Sequence, residues 1–422
     1  MLEPAEAELY LRLLAERVLL DGEPQHLAGG SVPSAAAALV AVGAIKTELA
    51  EDIVRDFDLA CMLRGRGGSG MAFRARMQAP PSASPGKAPK PPRVVPCRAK
   101  LDLSWGTVKV RYVMLSDELT TIGITGSETA TGSFARPGQP PQVQLSDDQG
   151  TTVTARFSGS LGPALDGVLT CDPPLSRRTR WIDFSVGRID LPETDQVAPE
   201  VRLEQLPQTD PALAHLWRQL ATTRGPIPAS NDLGAAIEAL VAVGAVDGGS
   251  AELDQLRTVA ETVGTGWHSM GLRGQPAHSQ VPLPEPWHSL AATRRKASGQ
   301  GPVGVLAVGA VTPPVDGTVV VVEALVSNRE GFMLNVTTTP GTSFFGPILN
   351  SPGDPLAWWA EDDRGGVYLG GPGSWGGRPG HSRGTIQFWP ALDPHCRELR
   401  ILPTGQTQRA VIPITLCWDE AT

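Results

Sequence analysis

The chain repeats itself, and that limits its fold more than any other feature of the sequence. Ala38-Leu-Val-Ala-Val-Gly-Ala-Ile45 returns as Ala239-Leu-Val-Ala-Val-Gly-Ala-Val246, differing only in the last residue, and Ala50-Glu51 returns in register as Ala251-Glu252. The match resumes where Gly106-Thr-Val-Lys-Val-Arg-Tyr-Val-Met-Leu-Ser116 faces Gly317-Thr-Val-Val-Val-Val-Glu-Ala-Leu-Val-Ser327, and where Asp147-Asp-Gln-Gly150 faces Asp362-Asp-Arg-Gly365. Further on, Gly167, Leu169, Pro173, Leu175, Ile182 and Phe184 face Gly384, Ile386, Pro390, Leu392, Leu399 and Ile401. The spacing between the copies widens along the chain, which is what insertions confined to loops produce. The repeat predicts an internal duplication. Residues present in both copies are then explained by a shared fold before they are explained by a single active site.

At 422 residues the chain is too long for one ordinary core. Hydrophobic residues make up 41% and charged residues 19%, which excludes global disorder. The 47 glycines and 39 prolines favour short strands and turns over an all-helical fold. An acidic start, Met1-Leu-Glu-Pro-Ala-Glu, and the lack of an 18-residue apolar run argue against a signal peptide and a membrane span. The five cysteines, Cys61, Cys97, Cys171, Cys396 and Cys417, show no CxxC spacing, so reduced thiols in a cytoplasm are expected, without a disulfide framework or a zinc knuckle. A net charge of −8 gives no general attraction to nucleic acid.

Residues 5–20 place Leu9, Leu13 and Leu20, with Leu11, Leu14 and Val18, on a broad apolar helical face. A second helix is predicted from Ser34 to Gly43 and a third from Thr47 to Leu63, and residues 211–263 repeat the plan. Two helices joined by a Gly-containing turn suggest a helix-turn-helix, but Glu48, Glu51 and Asp52 open the third helix, and Glu252 and Asp254 open its counterpart. Those carboxylates would repel DNA. Between Leu59 and Leu101 every charge is positive, and Pro80 to Pro92 is proline-rich, so an extended tether is expected. Gly65-Arg-Gly-Gly-Ser-Gly70 matches a dinucleotide fingerprint in letters only, since a helix precedes it and a tether follows.

Thr107 to Met114 alternates like a half-buried strand, and Thr318 to Val326 is a near-continuous β-branched run. The two Asp-Asp-x-Gly segments read as hairpin turns with glycine at a positive φ. A strand, an Asp-Asp-x-Gly turn, a strand, and later a Pro-x-Leu segment leading into a last strand resemble bacterial immunoglobulin-like domains. The resemblance implies an antiparallel β-sandwich and no function. The expected architecture is multidomain α+β: helical modules at 1–64 and 200–263, basic Pro/Gly-rich linkers at 65–96 and 264–302, and immunoglobulin-like β-sandwiches at 97–190 and 303–420.

Candidate chemistry is sparse. Asp147/Asp148 and Asp362/Asp363 are suited to calcium or acid–base work, yet their recurrence at predicted turns marks them as turn-formers. Asp393-Pro-His395-Cys396 with His381 holds metal-ligand residue types without a metal-site spacing, and Cys396 with His381 or His395 makes a conceivable dyad. No metal or cofactor is expected. Trp358, Trp359, Trp375, Trp389 and Trp418 crowd the C-terminal part. Adjacent Trp358 and Trp359 on one strand must face opposite sides, so one leaves the core unless a neighbouring element covers it. Trp358, Trp359, Trp375 and Arg378 are therefore the expected partner-binding residues. The function expected is a non-enzymatic cytoplasmic scaffold or adaptor that binds another protein, itself able to form a homo-oligomer. The alternatives are an enzyme or ligand-binding protein with a site near His381, His395 and Cys396, and nucleic-acid binding through the basic linkers.

Overall fold

The computed structural model describes residues 3–20, 31–63, 92–103, 106–117, 119–126, 142–161, 165–192, 199–222, 226–259, 283–295, 301–340, 356–378 and 381–418. The first linker and the Gly65–Gly70 segment lie almost wholly outside them. Among the described residues the fold is mixed α+β, with seven helices and two antiparallel sheets.

Helices α1 (Pro4–Leu20), α2 (Ser31–Ala41) and α3 (Thr47–Leu63) form the first helical layer, and α4 (Pro211–Thr222), α5 (Pro226–Ala242) and α6 (Ala251–Val259) the second. Both α2 and α5 stop at a glycine in the left-handed region, Gly43 at φ 70° and Gly244 at φ 69°. The same pair of bonds closes each end: Ala44 N–H to Leu39 C=O and Ala245 N–H to Leu240 C=O, with Gly43 to Val40 and Gly244 to Val241. The two helices pack on each other, and the contact is reciprocal. Ala38 is buried in the second module's core and Ala239 in the first's, as in an isologous dimer interface.

A seventh helix, α7 (Trp287–Arg295), lies within the segment expected to be the second linker. Trp287 and Leu290 are buried in the second helical core, and Glu285 accepts from the Ser289 N–H in the first turn, so apolar anchoring overrides the proline-rich surroundings.

The first sheet holds β1 (Arg93–Pro96), β2 (Lys100–Leu103), β3 (Gly106–Leu115), β4 (Thr120–Gly126), β5 (Gln142–Asp147), β6 (Thr152–Leu161), β7 (Leu165–Cys171), β8 (Trp181–Asp183) and β9 (Arg188–Asp190). The second holds β10 (Arg202–Gln205), β11 (Gly304–Val311), β12 (Val319–Ser327), β13 (Phe332–Thr339), β14 (Ala357–Asp362), β15 (Val367–Arg378), β16 (His381–Trp389), β17 (Glu398–Thr404) and β18 (Gln408–Thr415). The orders are β1-β3-β4-β7-β6-β5-β8-β9, with β2 also on β3, and β11-β12-β13-β16-β15-β14-β17-β18-β10. One core draws on Val95 of β1 and Ile189 of β9, which can meet only if the sheet curls over itself. Where the resemblance implied two facing sheets, the hydrogen bonding in each half runs through one continuous curled sheet.

Strand register places Val110 with Val322, Ile124 with Val336, Leu169 with Ile386 and Asp147 with Asp362 at like positions in the two sheets. In β3 and β12 this shifts the sequence pairing by one residue: Tyr112 corresponds to Ala324, and Arg111 to Glu323. The buried alternation decides, because Val113 and Leu325 both point inward.

The sheets touch through their outer faces, where Val94, Tyr112 and Met114 meet Ala324, with Val305 and Ala307 packed alongside. Tyr112 also lies over Gly123, its partner across the β3–β4 ladder, where any Cβ would collide with the ring.

Candidate functional site

Trp358 and Trp359 do face opposite sides of β14. Trp358 is 1% exposed in the core of the second sheet. Trp359 is half-buried beneath the helices: its ring meets Trp287 edge-on at 5.1 Å between centroids, and Trp287 meets Trp217 of α4 at 5.7 Å. Aromatic pairs at such distances add about 0.5–1.5 kcal/mol each beyond area burial. The expectation that one of the adjacent indoles serves a partner protein thus meets a different arrangement, in which α4 and α7 cover Trp359 and lock the second helical layer to β14 and β15.

The same positions in the first sheet are polar and open. Register matches Ala357, Trp359, Val367 and Leu369 with Gln142, Gln144, Thr152 and Thr154. The first set is apolar and lies against helices. Gln142, Gln144 and Thr154, with Thr152 and Arg156, are exposed. On the same outer face Lys100 of β2 stands directly opposite Lys109 of β3, both exposed. Like charges at that separation repel, and the nearest described carboxylate on that face is Asp102, two residues from Lys100 and diagonal to Lys109.

Trp375 and Arg378 lie on the distal half of β15, paired with Gly384 and His381, and their side chains fall outside the described set. His381 starts β16, at the opposite end from Trp389. A nine-residue strand spans roughly 27 Å. Cys396 sits at the Trp389 end, beside the Asp362 turn, so a dyad with His381 is not assembled. Cys396 is buried and its Sγ lies 3.2 Å from the Glu398 carbonyl; burial, then the neighbouring Asp363, push its pKa up to about 12. His395 is exposed, and its backbone N–H donates to Asp393.

The paired aspartates hold turns, as expected from their recurrence. Asp147 accepts from the Gln149 and Thr151 N–H groups and from the Thr179 hydroxyl. Asp362 accepts from the Arg364 and Gly366 N–H groups and from the Tyr368 hydroxyl. Asp148 takes the Arg180 N–H and Asp363 the Arg397 N–H, and Gly150 and Gly365 sit at φ 79° and 77°. Among the described residues no cluster of His, Cys, Asp and Glu is placed to hold a metal ion, and no helix is long and apolar enough to cross a membrane.

A buried polar network between the sheets escaped the sequence reading. Glu323 has no exposed side-chain surface and takes two bonds from Arg383, at 2.9 and 2.5 Å, and one from the Thr337 hydroxyl at 2.9 Å. Tyr112 donates to Glu323 at 3.4 Å and accepts from the Asn335 amide at 2.7 Å. Burial and the Glu323 charge raise the Tyr112 pKa well above the usual phenol range. Burial opposes the charge on Arg383, but Glu323 outweighs it and the Arg383 pKa is also raised. The signal in the sequence was Glu323 itself, one carboxylate inside an otherwise apolar β-branched run. The first sheet has Arg111 at the same bulge, bonded to Thr125 at 2.9 Å, with Asp166 in register with Thr125. Glu323, Thr337 and Arg383 repeat that arrangement with the charges reversed.

No protein-family model matches the chain, and no curated protein matches it. Among solved structures it is similar to the crystal structure of a conserved domain protein from Bacillus anthracis, at 8% identity over 78% of this chain and 83% of that one, with a TM-score of 0.17. A superposition that loose says nothing of fold or function.

Proposed function

We propose that this chain is a non-enzymatic adaptor, built from two copies of one helix-and-sheet unit, that holds an acidic protein surface against the outer face of its first sheet. One observation carries the reading: the positions on β14 and β15 that helices cover are exposed and polar on β5 and β6 of the first sheet, and three strands from β6 in the same sheet Lys100 of β2 stands opposite Lys109 of β3. A like-charged cross-strand pair is relieved by a carboxylate-bearing partner. Trp375 and Arg378 are proposed as a further contact on the second sheet.

Three features support the duplication: matching strand orders, the repeated glycine stops, and the Arg–Thr and Glu–Thr bonds at the same bulge, Arg111 to Thr125 and Thr337 to Glu323. The non-enzymatic reading is supported by the work its best chemical groups already do, since the paired aspartates brace turns and Cys396 is held in the core. The cysteines are free, in keeping with the proposed reducing cytoplasm.

The test is affinity recovery from the native host with wild type, Lys100→Glu/Lys109→Glu and Trp375→Ala, followed by mass spectrometry. A protein retained by wild type and lost with the charge reversal is expected, with retention weakening as salt rises. Recovery of nucleic acid in its place, or an identical protein set from all three chains, overturns the reading.

A further inference from the structure

The two ends of the first curled sheet meet without a ladder. In its hydrogen-bonded order β1 and β2 stand at one edge and β9 at the other, yet Val95 of β1 and Ile189 of β9 share one core. One side chain reaches across that seam. Arg93, the first residue of β1, donates through Nη1 to the Arg177 and Thr179 carbonyls at 3.1 and 2.8 Å, and through Nη2 to the Leu191 and Pro192 carbonyls at 2.7 and 2.9 Å. All four partners are main-chain oxygens, and they flank the β8–β9 hairpin: Arg177 and Thr179 precede β8, and Leu191 and Pro192 follow β9.

The hairpin is otherwise lightly held. Its strands have three residues each, and β8 joins the rest of the sheet through two pairs, Ser146 with Asp183 and Asp147 with Ile182. At its root Arg180 is tied to Asp148 through its N–H and its guanidinium. At its tip Gly187 lies against Leu101 of β2, where a Cβ would fall 2.9 Å from the leucine Cδ2. Ile182, Phe184, Ile189 and Leu191 are buried in the first core, so lifting the hairpin uncovers part of that core.

The second sheet closes the same seam in another way. Leu191 and Leu416 are equivalent, each donating its N–H to an arginine carbonyl, Arg180 or Arg397, at 2.7 Å. Arg93 and Gly304 are equivalent by their places opposite Leu115 and Ser327. Where Arg93 grips the tail of β9, the indole of Trp418, two residues past Leu416, lies on Gly304, and a Cβ there would fall 2.9 Å from the ring. Strand β17 has seven residues and β18 eight, β17 pairs with β14 over six positions, and β10 braces β18 from outside.

We infer that the β8–β9 hairpin is a lid on the first core with Arg93 as its latch, and that it opens while the matching β17–β18 hairpin stays closed. Two strand pairs and a set of bonds that water can replace hold the lid; six pairs, a packed indole and a bracing strand hold its counterpart. The inference is independent of the adaptor reading, because it concerns the seam of the sheet and not its outer face.

Residue-resolved hydrogen exchange of the full chain tests it, with Leu191 and Leu416 as matched amides. In wild type the protection factor of Leu191 is at least about tenfold below that of Leu416. Arg93→Met keeps a long side chain and removes every donor. It lowers the protection of Phe184 and Leu191 about tenfold further, a bond to a charged group being worth about that factor, and leaves Ile122 on β4 and Leu169 on β7 unchanged. Arg93→Lys, which cannot fork to four carbonyls, falls between. Equal protection of Leu191 and Leu416 in wild type overturns the inference, even where Arg93→Met fails to fold. So does an Arg93→Met chain with unchanged exchange at Leu191, or one in which β4 and β7 loosen as much as the hairpin, the mark of a general brace.

Discussion

Glu323 of β12 and Arg383 of β16 form an ion pair sealed between the two sheets, the carboxylate fully buried and bound through two guanidinium nitrogens. Burying charges is expensive, and the Coulomb attraction with the added bonds from Thr337 and Tyr112 offsets that cost only while the set is complete. Arg383→Met strands a buried carboxylate and is expected to cost roughly 3–5 kcal/mol of stability. Glu323→Leu/Arg383→Met, which removes both charges, recovers most of it. Denaturant midpoints of the three chains check this, and a double variant as unstable as the single one would show that the pair does more than balance itself.

Trp359 is the fastening between the second helical layer and its sheet. Trp359→Ala is expected to cost about 3 kcal/mol, the low end for a large aromatic because the ring is only half-buried. Hydrogen exchange should quicken in α4 and α7 and stay slow in β3, β4 and β7. Uniform loosening of both sheets would contradict a local fastening.

The thiols should sort by burial. Burial pushes Cys97 up to about 11 and Cys171 up to about 12, and burial with Asp363 takes Cys396 to about 12. At pH 8 an aromatic disulfide reagent should label exposed Cys417 quickly and part-buried Cys61 slowly. The other three should react only after denaturation. Prompt labelling of Cys396 in the native chain would reopen the case for it as a nucleophile.

Acid should weaken the second helical layer through His215 on α4. Its Nε2 is buried with no hydrogen-bond partner among the described atoms; burial, then the Arg218 charge, lower its pKa from 6.5 to about 4. The folded chain therefore binds fewer protons here than the unfolded chain between those values. The contribution is complete above pH 6.5 and is lost as pH falls towards 4, by roughly 3 kcal/mol in all. The stability of His215→Leu should change less with pH across that window, and equal slopes for both chains would remove His215 as the cause.

Local chemistry was legible in the sequence. The Asp-Asp-x-Gly turns, the glycine stops at Gly43 and Gly244, helix α3 and the strand at Thr107 all stand where propensity and spacing put them, because each is decided by a few neighbouring residues. Spacing also fixed that Trp358 and Trp359 must diverge, since a strand alternates its faces. What covers a face was not legible. Leu9 and Leu11 stand on opposite sides of a helical wheel and each side carries leucines, so the wheel does not say which is inward; the position of α2 and α3 buries Leu11 and leaves Leu9 exposed. Trp359 is covered because α7 folds back over β14, and Glu323 is tolerated because Arg383 and Tyr112 arrive from distant strands. Periodicity states which residues need shelter; only the tertiary arrangement supplies the partner, since burial is a property of two surfaces and the sequence pattern describes one.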